Sequence, residues 1–196
     1  MTEYFENLLT TINHSVHSLD EAVFNRLLDE CQSTLESGHK IVVSGLGKNV
    51  PVCDKFVGTM NSVGLNACYM NTNSAVHGDL GMVHDGDLVI VLTKSGSTQE
   101  SVYLIRLLQQ RKASLWLLTF TENSEIEQLI GHEKCVVLEL DNEGDSWNIV
   151  PNNSTTVNLI VLQALAIALS KRMNVTLVDF KKNHPGGHIG VQLKDI

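Results

Sequence analysis

The chain has 196 residues, which suits one domain with a sizeable core, and its 43% hydrophobic and 18% charged residues are proportions of an ordinary globular protein. Its formal net charge of −8, without any cluster of Lys and Arg, argues against nucleic acid as a partner. Four cysteines without C-x-x-C spacing and a first segment without a basic start argue against a disulfide framework and a signal peptide, so we expect reduced thiols and a cytoplasmic location.

Residues 1–37 predict a helical lead-in. An amphipathic pattern predicts a helix over residues 3–14. Ser18 and Glu21 have the spacing of a capping box, so we expect a second helix that runs from there to Ser37 and is ended by Gly38. Such a helical lead-in often packs against a partner subunit.

Beyond residue 38, short apolar runs alternate with helical patterns. Five strands are predicted, over residues 40–44, 66–70, 87–93, 114–119 and 135–140. Helices are predicted over residues 50–63, 98–111 and 155–173, and one more begins at a capping box formed by Ser124 and Glu127. This alternation predicts an α/β fold, a three-layer αβα sandwich around a five-stranded parallel sheet. With no linker or repeat in view, residues 1–196 form one domain, and residues 38–196 are its core.

The longest apolar stretch, residues 157–169, is interrupted by Asn158 and Gln163. It is shorter than the roughly 20 residues that a membrane span needs. We therefore expect a buried helix and no membrane partner.

A glycine turn follows the first predicted strand, in the sequence GLGKN at residues 45–49. A dinucleotide fingerprint would need glycine at Val50, and a P-loop would need Ser or Thr at Asn49, so neither nucleotide motif is present. The turn is either a plain strand-to-helix connection with a solvated Lys48 or part of a binding site. In the second reading Gly47 lies against a bound phosphate.

A loop rich in hydroxyl groups follows the third predicted strand. It carries Thr93, Ser95, Gly96, Ser97 and Thr98 ahead of a helix. The free N–H groups and positive dipole end of that helix would suit an anion, so we expect these five residues to bind phosphate. The alternative is a capping box between Ser97 and Glu100, three residues apart, and the two readings compete for the side chain of Glu100.

Two histidines lie beside glycines, His77 in AVHGDLG and His184 in NHPGG. On residue type alone each is as easily a surface group as a functional one. The other histidines, at positions 14, 17, 39 and 132, are interpreted as surface or structural groups.

The motifs GLGKN, AVHGDLGM, LTKSGSTQE, PNNSTTV and NHPGGHIG, in this order, resemble those of the sugar isomerase (SIS) domain family. The resemblance is stronger to its arabinose 5-phosphate isomerase branch and runs from about residue 16 to residue 192. It implies a five-stranded parallel sheet, dimers or tetramers, and interconversion of ribulose 5-phosphate with arabinose 5-phosphate. The tandem CBS domains common in this branch are not expected, because the sequence stops at Ile196.

The resemblance also implies active-site residues. They are Lys48, His77, Glu100, Glu143 and His184. Two features depart from the branch: Asn49 stands where Ser is usual, and Gly144, Asp145 and Ser146 replace an Ala-Cys-Pro stretch. These departures bear on which sugar is used.

Aldose–ketose isomerisation moves a proton between adjacent carbons through an enediol, and it needs a base and donors for the developing oxyanion but no redox cofactor. Glu143 is the provisional base, since Glu100 has a competing capping role. Lys48 would stabilise the oxyanion, His184 would open the ring or shuttle protons, and His77 would orient hydroxyls.

We expect neither a cofactor nor a metal. Five side chains are potential metal ligands, but their spacing matches no metal motif; they are His77, Asp79, His84, His184 and His188. Two other functions stay open. One is a sensor that binds a sugar phosphate or nucleotide sugar without turnover, and the other is a different isomerase of the same fold, such as a 3-hexulose-6-phosphate type.

Overall fold

A computed structural model describes residues 1–194 of the chain. Its centre is one sheet of five parallel strands in the order β2-β1-β3-β4-β5. The strands are β1 (Ile41–Gly45), β2 (Ala67–Tyr69), β3 (Leu88–Leu92), β4 (Ser114–Thr119) and β5 (Cys135–Val137). β1 and β3 are buried along their whole length and β4 beyond its first residue, which explains their near-continuous apolar sequences.

Nine helices accompany the sheet in the described part of the chain. They are α1 (Thr2–His17), α2 (Glu21–Glu36), α3 (Asn49–Ser62), α4 (Thr72–Ala75), α5 (Gln99–Leu108), α6 (Glu125–Ile130), α7 (Asn153–Arg172), α8 (Leu177–Lys182) and α9 (Gly187–Gln192). Residues Asp79–Met82 and His132–Lys134 form 3-10 turns. The first three helices and α7 share one hydrophobic core with a face of the sheet, and α4, α5 and α6 share a second core with the other face. The predicted three-layer sandwich is therefore confirmed.

Helices α2 and α6 are each predicted to begin at a capping box, and one of these two predictions is correct. The capping box at Ser124 and Glu127 forms as predicted and opens α6. The one predicted at Ser18 is wrong. There α1 continues to His17 and ends at Ser18, and the Asp20 side chain caps α2 by accepting from the N–H groups of Ala22 and Val23. The Ser18 hydroxyl instead accepts a hydrogen bond of 2.8 Å from the N–H of Glu139.

The long apolar helix has close to its predicted bounds. α7 spans Asn153–Arg172, against the predicted 155–173, and by length and composition alone it is long and apolar enough to cross a membrane. Its inward face, including Val157, Leu165 and Leu169, is buried in the core beside the sheet. The expectation of a buried helix holds for that half of α7.

One carboxylate ties the amino ends of the two central strands together. Asp87, 2% exposed, accepts hydrogen bonds from the Lys40 N–H at 3.1 Å, the Lys40 ammonium at 2.6 Å and the His84 N–H at 2.7 Å. Burial alone would raise the pKa of Asp87, but these hydrogen bonds lower it below its ordinary value. Because Lys40 precedes β1 and Asp87 precedes β3, the pair fixes the amino ends of these strands side by side.

We expect Asp87→Asn to lower the free energy of unfolding at pH 7 by about 1.5–3 kcal/mol, since it weakens three hydrogen bonds to a charged acceptor. Because the folded-state pKa is the lower one, the stabilisation is complete above the unfolded-state pKa of about 3.9 and is lost as the pH falls through the folded-state pKa. Urea unfolding of both proteins from pH 3 to pH 7 measures this difference. A difference between parent and variant that stays constant over the whole range would contradict the account.

Candidate active site

The strand order creates a crevice between β1 and β3 at the carboxyl edge of the sheet. These strands are neighbours in register, with Gly45 paired to Leu92. The helix that follows β1 packs in one core and the helix that follows β3 packs in the other. The loops after the two strands therefore diverge and leave an opening between them, which is where open parallel sheets usually bind ligands.

The glycine turn forms one wall of this crevice. Gly45 has no room for a side chain, since an added Cβ would lie 2.9 Å from the Cβ of Asn49. Gly47 has a φ of +56°, which suits glycine, and Lys48 follows with an exposed side chain. Asn49 accepts a hydrogen bond of 3.0 Å from the Asn158 side chain. The residue that departs from the family pattern thus joins α3 to α7.

The hydroxyl loop forms the other wall. The Thr98 hydroxyl lies 3.3 Å from that of Thr93 and 3.4 Å from that of Ser95, and the Ser97 N–H donates to the Ser95 hydroxyl. Thr98 precedes α5 without making a side-chain cap, so the dipole end of this 10-residue helix faces the hydroxyl cluster. The arrangement offers neutral donors and a positive helix end to an anion.

The capping box proposed for this loop does not form. The helix starts one residue later than that pattern requires, because Thr98 is the residue that precedes α5. The Ser97 hydroxyl instead lies 3.4 Å from the N–H of Glu125, from which it accepts a hydrogen bond. Glu100 is exposed in the first turn of α5. The structural role that competed for Glu100 is therefore absent.

Gly96 holds the hydroxyl loop against α6. Its φ is +60°, and an added Cβ would collide with Oγ and Cβ of Ser124, the residue that caps α6. The Gly96 carbonyl accepts a hydrogen bond of 2.9 Å from the N–H of Ile126. Glycine is required here both for its backbone conformation and for the close contact.

Glu143 lies in the loop between β5 and α7 and is completely buried. Its Oε2 accepts from the N–H groups of Asn152 at 3.1 Å and Ser154 at 3.0 Å, at the start of α7. Its Oε1 accepts from the Ser154 hydroxyl and from the Lys94 ammonium, each at 2.7 Å. Burial alone would raise the pKa of Glu143, but these hydrogen bonds lower it below its ordinary value.

Lys94 is the residue of this site that sequence reasoning missed. Its carbonyl accepts hydrogen bonds from the N–H of Phe120 and the hydroxyls of Thr119 and Thr121, at 3.0–3.1 Å. Its ammonium group reaches Glu143, and its side chain is about half exposed. The sequence signal that could have identified Lys94 is its position between Thr93 and Ser95, two residues predicted to bind phosphate.

The two histidines lie in different places. His77 follows α4 with an exposed side chain, and a 2.8 Å contact between the hydroxyls of Thr72 and Ser44 joins α4 to β1. His184 lies at the other end of α3, where its ring contacts the Ser62 hydroxyl at 3.0 Å and the Phe180 carbonyl at 2.8 Å. α3 has 14 residues, so His184 is about 20 Å from the glycine turn of its own chain.

Lys94 thus joins Glu143 to the hydroxyl loop, and the glycine turn with Lys48 follows the neighbouring strand, whereas His184 lies at the far end of α3. Two cavities lie elsewhere, along α1. One of 380 Å³ lies between α1 and residues 142–145, and one of 570 Å³ lies along α1 beside Ile160. Within residues 1–194, no three potential metal ligands cluster.

Comparisons with known proteins agree with this fold. Residues 34–168 match the profile of the SIS domain family. Arabinose 5-phosphate isomerase KdsD of Pseudomonas aeruginosa is 34% identical over 179 residues, which cover 91% of this chain and 54% of that protein. KdsD of Escherichia coli K12 is 32% identical over 175 residues, which cover 89% of this chain and 53% of that protein. The chain therefore spans about half the length of these curated relatives.

A solved structure is similar over almost its whole length. An E. coli CFT073 protein in complex with arabinose 5-phosphate has a TM-score of 0.86 and 30% identity, and the match covers 94% of this chain and 95% of that one.

The contact between Gly96 and Ser124 generates a prediction. Gly96→Ala should lower stability by more than the roughly 1–2 kcal/mol that a left-handed conformation costs an alanine, because overpacking adds about 1–3 kcal/mol. Gly38→Ala is the matched control, since Gly38 also has positive φ but nothing within 4 Å of an added Cβ. Urea unfolding compares the two variants. Equal losses in both would show that the Gly96 contact is unimportant.

Proposed function

The chain belongs to the SIS domain family, and from this premise we propose that its β1–β3 crevice binds a phosphorylated sugar and interconverts aldose and ketose forms. The pair that the similarity to KdsD favours is arabinose 5-phosphate and ribulose 5-phosphate. The observation that carries the proposal is the convergence of the Thr93, Ser95 and Thr98 hydroxyls at the start of α5. A phosphate bound there would present the carbon chain of the sugar to Lys48 and the carboxylates.

Glu143 is our proposed base for the carbon proton. Its Oε2 is fixed by two backbone N–H groups, whereas Oε1 is held only by the side chains of Lys94 and Ser154. Side chains can turn away while a helix start cannot, so Oε1 is the oxygen that becomes available for proton transfer. The fixed Oε2 keeps the carboxylate oriented.

The remaining roles follow from charge and position. Lys48, exposed at the glycine turn, stabilises the oxyanion of the enediol, and His77 orients substrate hydroxyls. His184 opens the sugar ring or shuttles protons. Because His184 lies about 20 Å from the glycine turn of its own chain, we propose that it serves the crevice of a neighbouring subunit.

A homo-dimer or homo-tetramer is supported by exposed apolar side chains. Several large ones lie on α1, on the outer face of α7 and in the loop that precedes it, and they include Phe5, Leu9, Trp147, Ile149, Ile160 and Ile167. Asp145 orders that loop by accepting from the N–H groups of residues 147, 149 and 150. Exposed apolar surface on this scale usually marks a protein interface.

We also propose a cytoplasmic location. The four cysteines are all unpaired, and three of them are buried. Burial raises the pKa of the Cys53 thiol to about 12, which keeps it protonated and unreactive at neutral pH.

Binding without turnover is the second candidate function. One observation favours it: Glu143 is fully buried, and both its carboxylate oxygens accept hydrogen bonds. Glu100, exposed and free of a capping role, is the other carboxylate that a substrate at the hydroxyl loop could meet.

Two conservative variants separate these possibilities. We expect Glu143→Gln to bind arabinose 5-phosphate but to lose about 10²–10⁴-fold in turnover, since the amide cannot act as a base. The matched control is Glu100→Gln, which should keep most of its activity. Formation of the ketose from arabinose 5-phosphate is the readout. Loss of turnover in Glu100→Gln alone would move the base to Glu100, and a parent that binds the sugar without converting it would favour the sensor.

Shared sites can be tested by mixing two inactive variants. If each site takes Lys48 from one chain and His184 from its neighbour, a mixed dimer of Lys48→Met and His184→Asn contains one site with both residues intact. Random reassociation should then recover about a quarter of the parent activity, because half of the dimers are mixed and each has one working site. No recovery after confirmed exchange of subunits, or an active monomer by light scattering, would contradict the shared site.

A further inference from the structure

Lys94 lies between two groups that would each attract its ammonium, the proposed phosphate site and the Glu143 carboxylate. Its neighbours in sequence, Thr93 and Ser95, carry hydroxyls that converge on Thr98, where the proposed phosphate binds. Its ammonium group meanwhile forms an ion pair of 2.7 Å with Glu143. A bound phosphate dianion would therefore compete with Glu143 for the same cation.

The backbone of Lys94 is fixed while its side chain is free to move. Three donors at the end of β4 and just beyond it hold the Lys94 carbonyl, from Thr119, Phe120 and Thr121. The side chain is 47% exposed, whereas that of its partner Glu143 is completely buried. A lysine side chain is a flexible four-carbon stem with a point charge at its end, so it can exchange partners without any backbone movement.

Glu143 does not depend on Lys94 alone. Without the ammonium group, its carboxylate still accepts from the N–H groups of Asn152 and Ser154 and from the Ser154 hydroxyl. It also lies at the positive end of α7, a 20-residue helix. The carboxylate can therefore stay ionised and in place while Lys94 turns to another anion.

We infer that Lys94 is a shared cation that holds Oε1 of Glu143 in the free protein and moves to the phosphate of the bound substrate. Phosphate binding then exposes Oε1 and removes its nearest positive charge, which makes the carboxylate a stronger base. The inference rests on the proposed function and adds a consequence, that the base is released only when a phosphorylated ligand is present.

The inference predicts that removal of the Glu143 carboxylate increases the affinity of the protein for phosphate. Glu143→Gln should bind inorganic phosphate about three- to tenfold more tightly than the parent, because Lys94 no longer has to leave an anionic partner. In a Lys94→Met background the same substitution should change phosphate affinity by much less. Isothermal titration of the four proteins of this cycle with inorganic phosphate, and then with arabinose 5-phosphate, measures the coupling.

Each result has a distinct meaning. A Glu143→Gln variant that binds phosphate no more tightly than the parent overturns the inference, and so does equal tightening in both backgrounds, which would reflect charge repulsion alone. In either case, normal binding of arabinose 5-phosphate by the parent leaves the proposed function standing. A parent that binds neither ligand overturns both.

A second pair of variants covers the case in which Glu143→Gln does not fold. Lys94→Arg keeps the charge, so it should bind phosphate within about threefold of the parent. Lys94→Met should bind it about three- to tenfold more weakly. Equal affinity in Lys94→Met and the parent would overturn the inference.

Discussion

Neighbouring strands β1 and β3 send their helices to opposite faces of the sheet, and the candidate site depends on that divergence. It opens the edge of the sheet between a glycine turn and a hydroxyl loop, which would otherwise be covered by a helix. The backbone N–H groups and dipole at the start of α5 then face the opening and favour an anion. The rest of the fold holds these two loops in register.

Two buried carboxylates fix the strands and loops in place, one at each edge of the sheet. Asp87 fixes the amino ends of β1 and β3, and Glu143 joins the hydroxyl loop to the start of α7. Both are held by a lysine and by backbone N–H groups, and both have a pKa below the ordinary value. The two ion pairs differ in solvent exposure, since Lys94 has a much more exposed side chain than Lys40. This difference separates a structural ion pair from one that a ligand can open.

Strong local patterns were sufficient to predict the layers of the fold. The bounds of β4 agree with the prediction, because an apolar run between polar residues leaves little choice of register. β5 is shorter than predicted, ending at Val137, although Leu138 beyond it is still buried. The helix starts at Ser18 and Ser97 were misplaced, since a capping pattern does not reveal which of several adjacent residues leaves the helical conformation.

The site was predicted less completely, for physical reasons. The contacts that define Glu143 come from Ser154, 11 positions away, and from Lys94, 49 positions away, so no local pattern encodes them. The hydroxyl loop was recognisable because its residues are contiguous. The distance between His184 and the glycine turn follows from where the tail lies on α3, which the sequence does not specify.

The central claim is that this crevice carries out proton transfer at a sugar phosphate, and solvent exchange tests it most directly. When arabinose 5-phosphate is incubated with the protein in D₂O, the ribulose 5-phosphate that appears should carry deuterium at C1, and arabinose 5-phosphate formed by the reverse reaction should carry it at C2, because the enediol takes up its proton from exchangeable groups. Proton NMR follows both changes in one sample. Tight binding of arabinose 5-phosphate without deuterium at C1 or C2, at any pH from about 6 to 9 over which histidine and carboxylate groups act, would contradict the account.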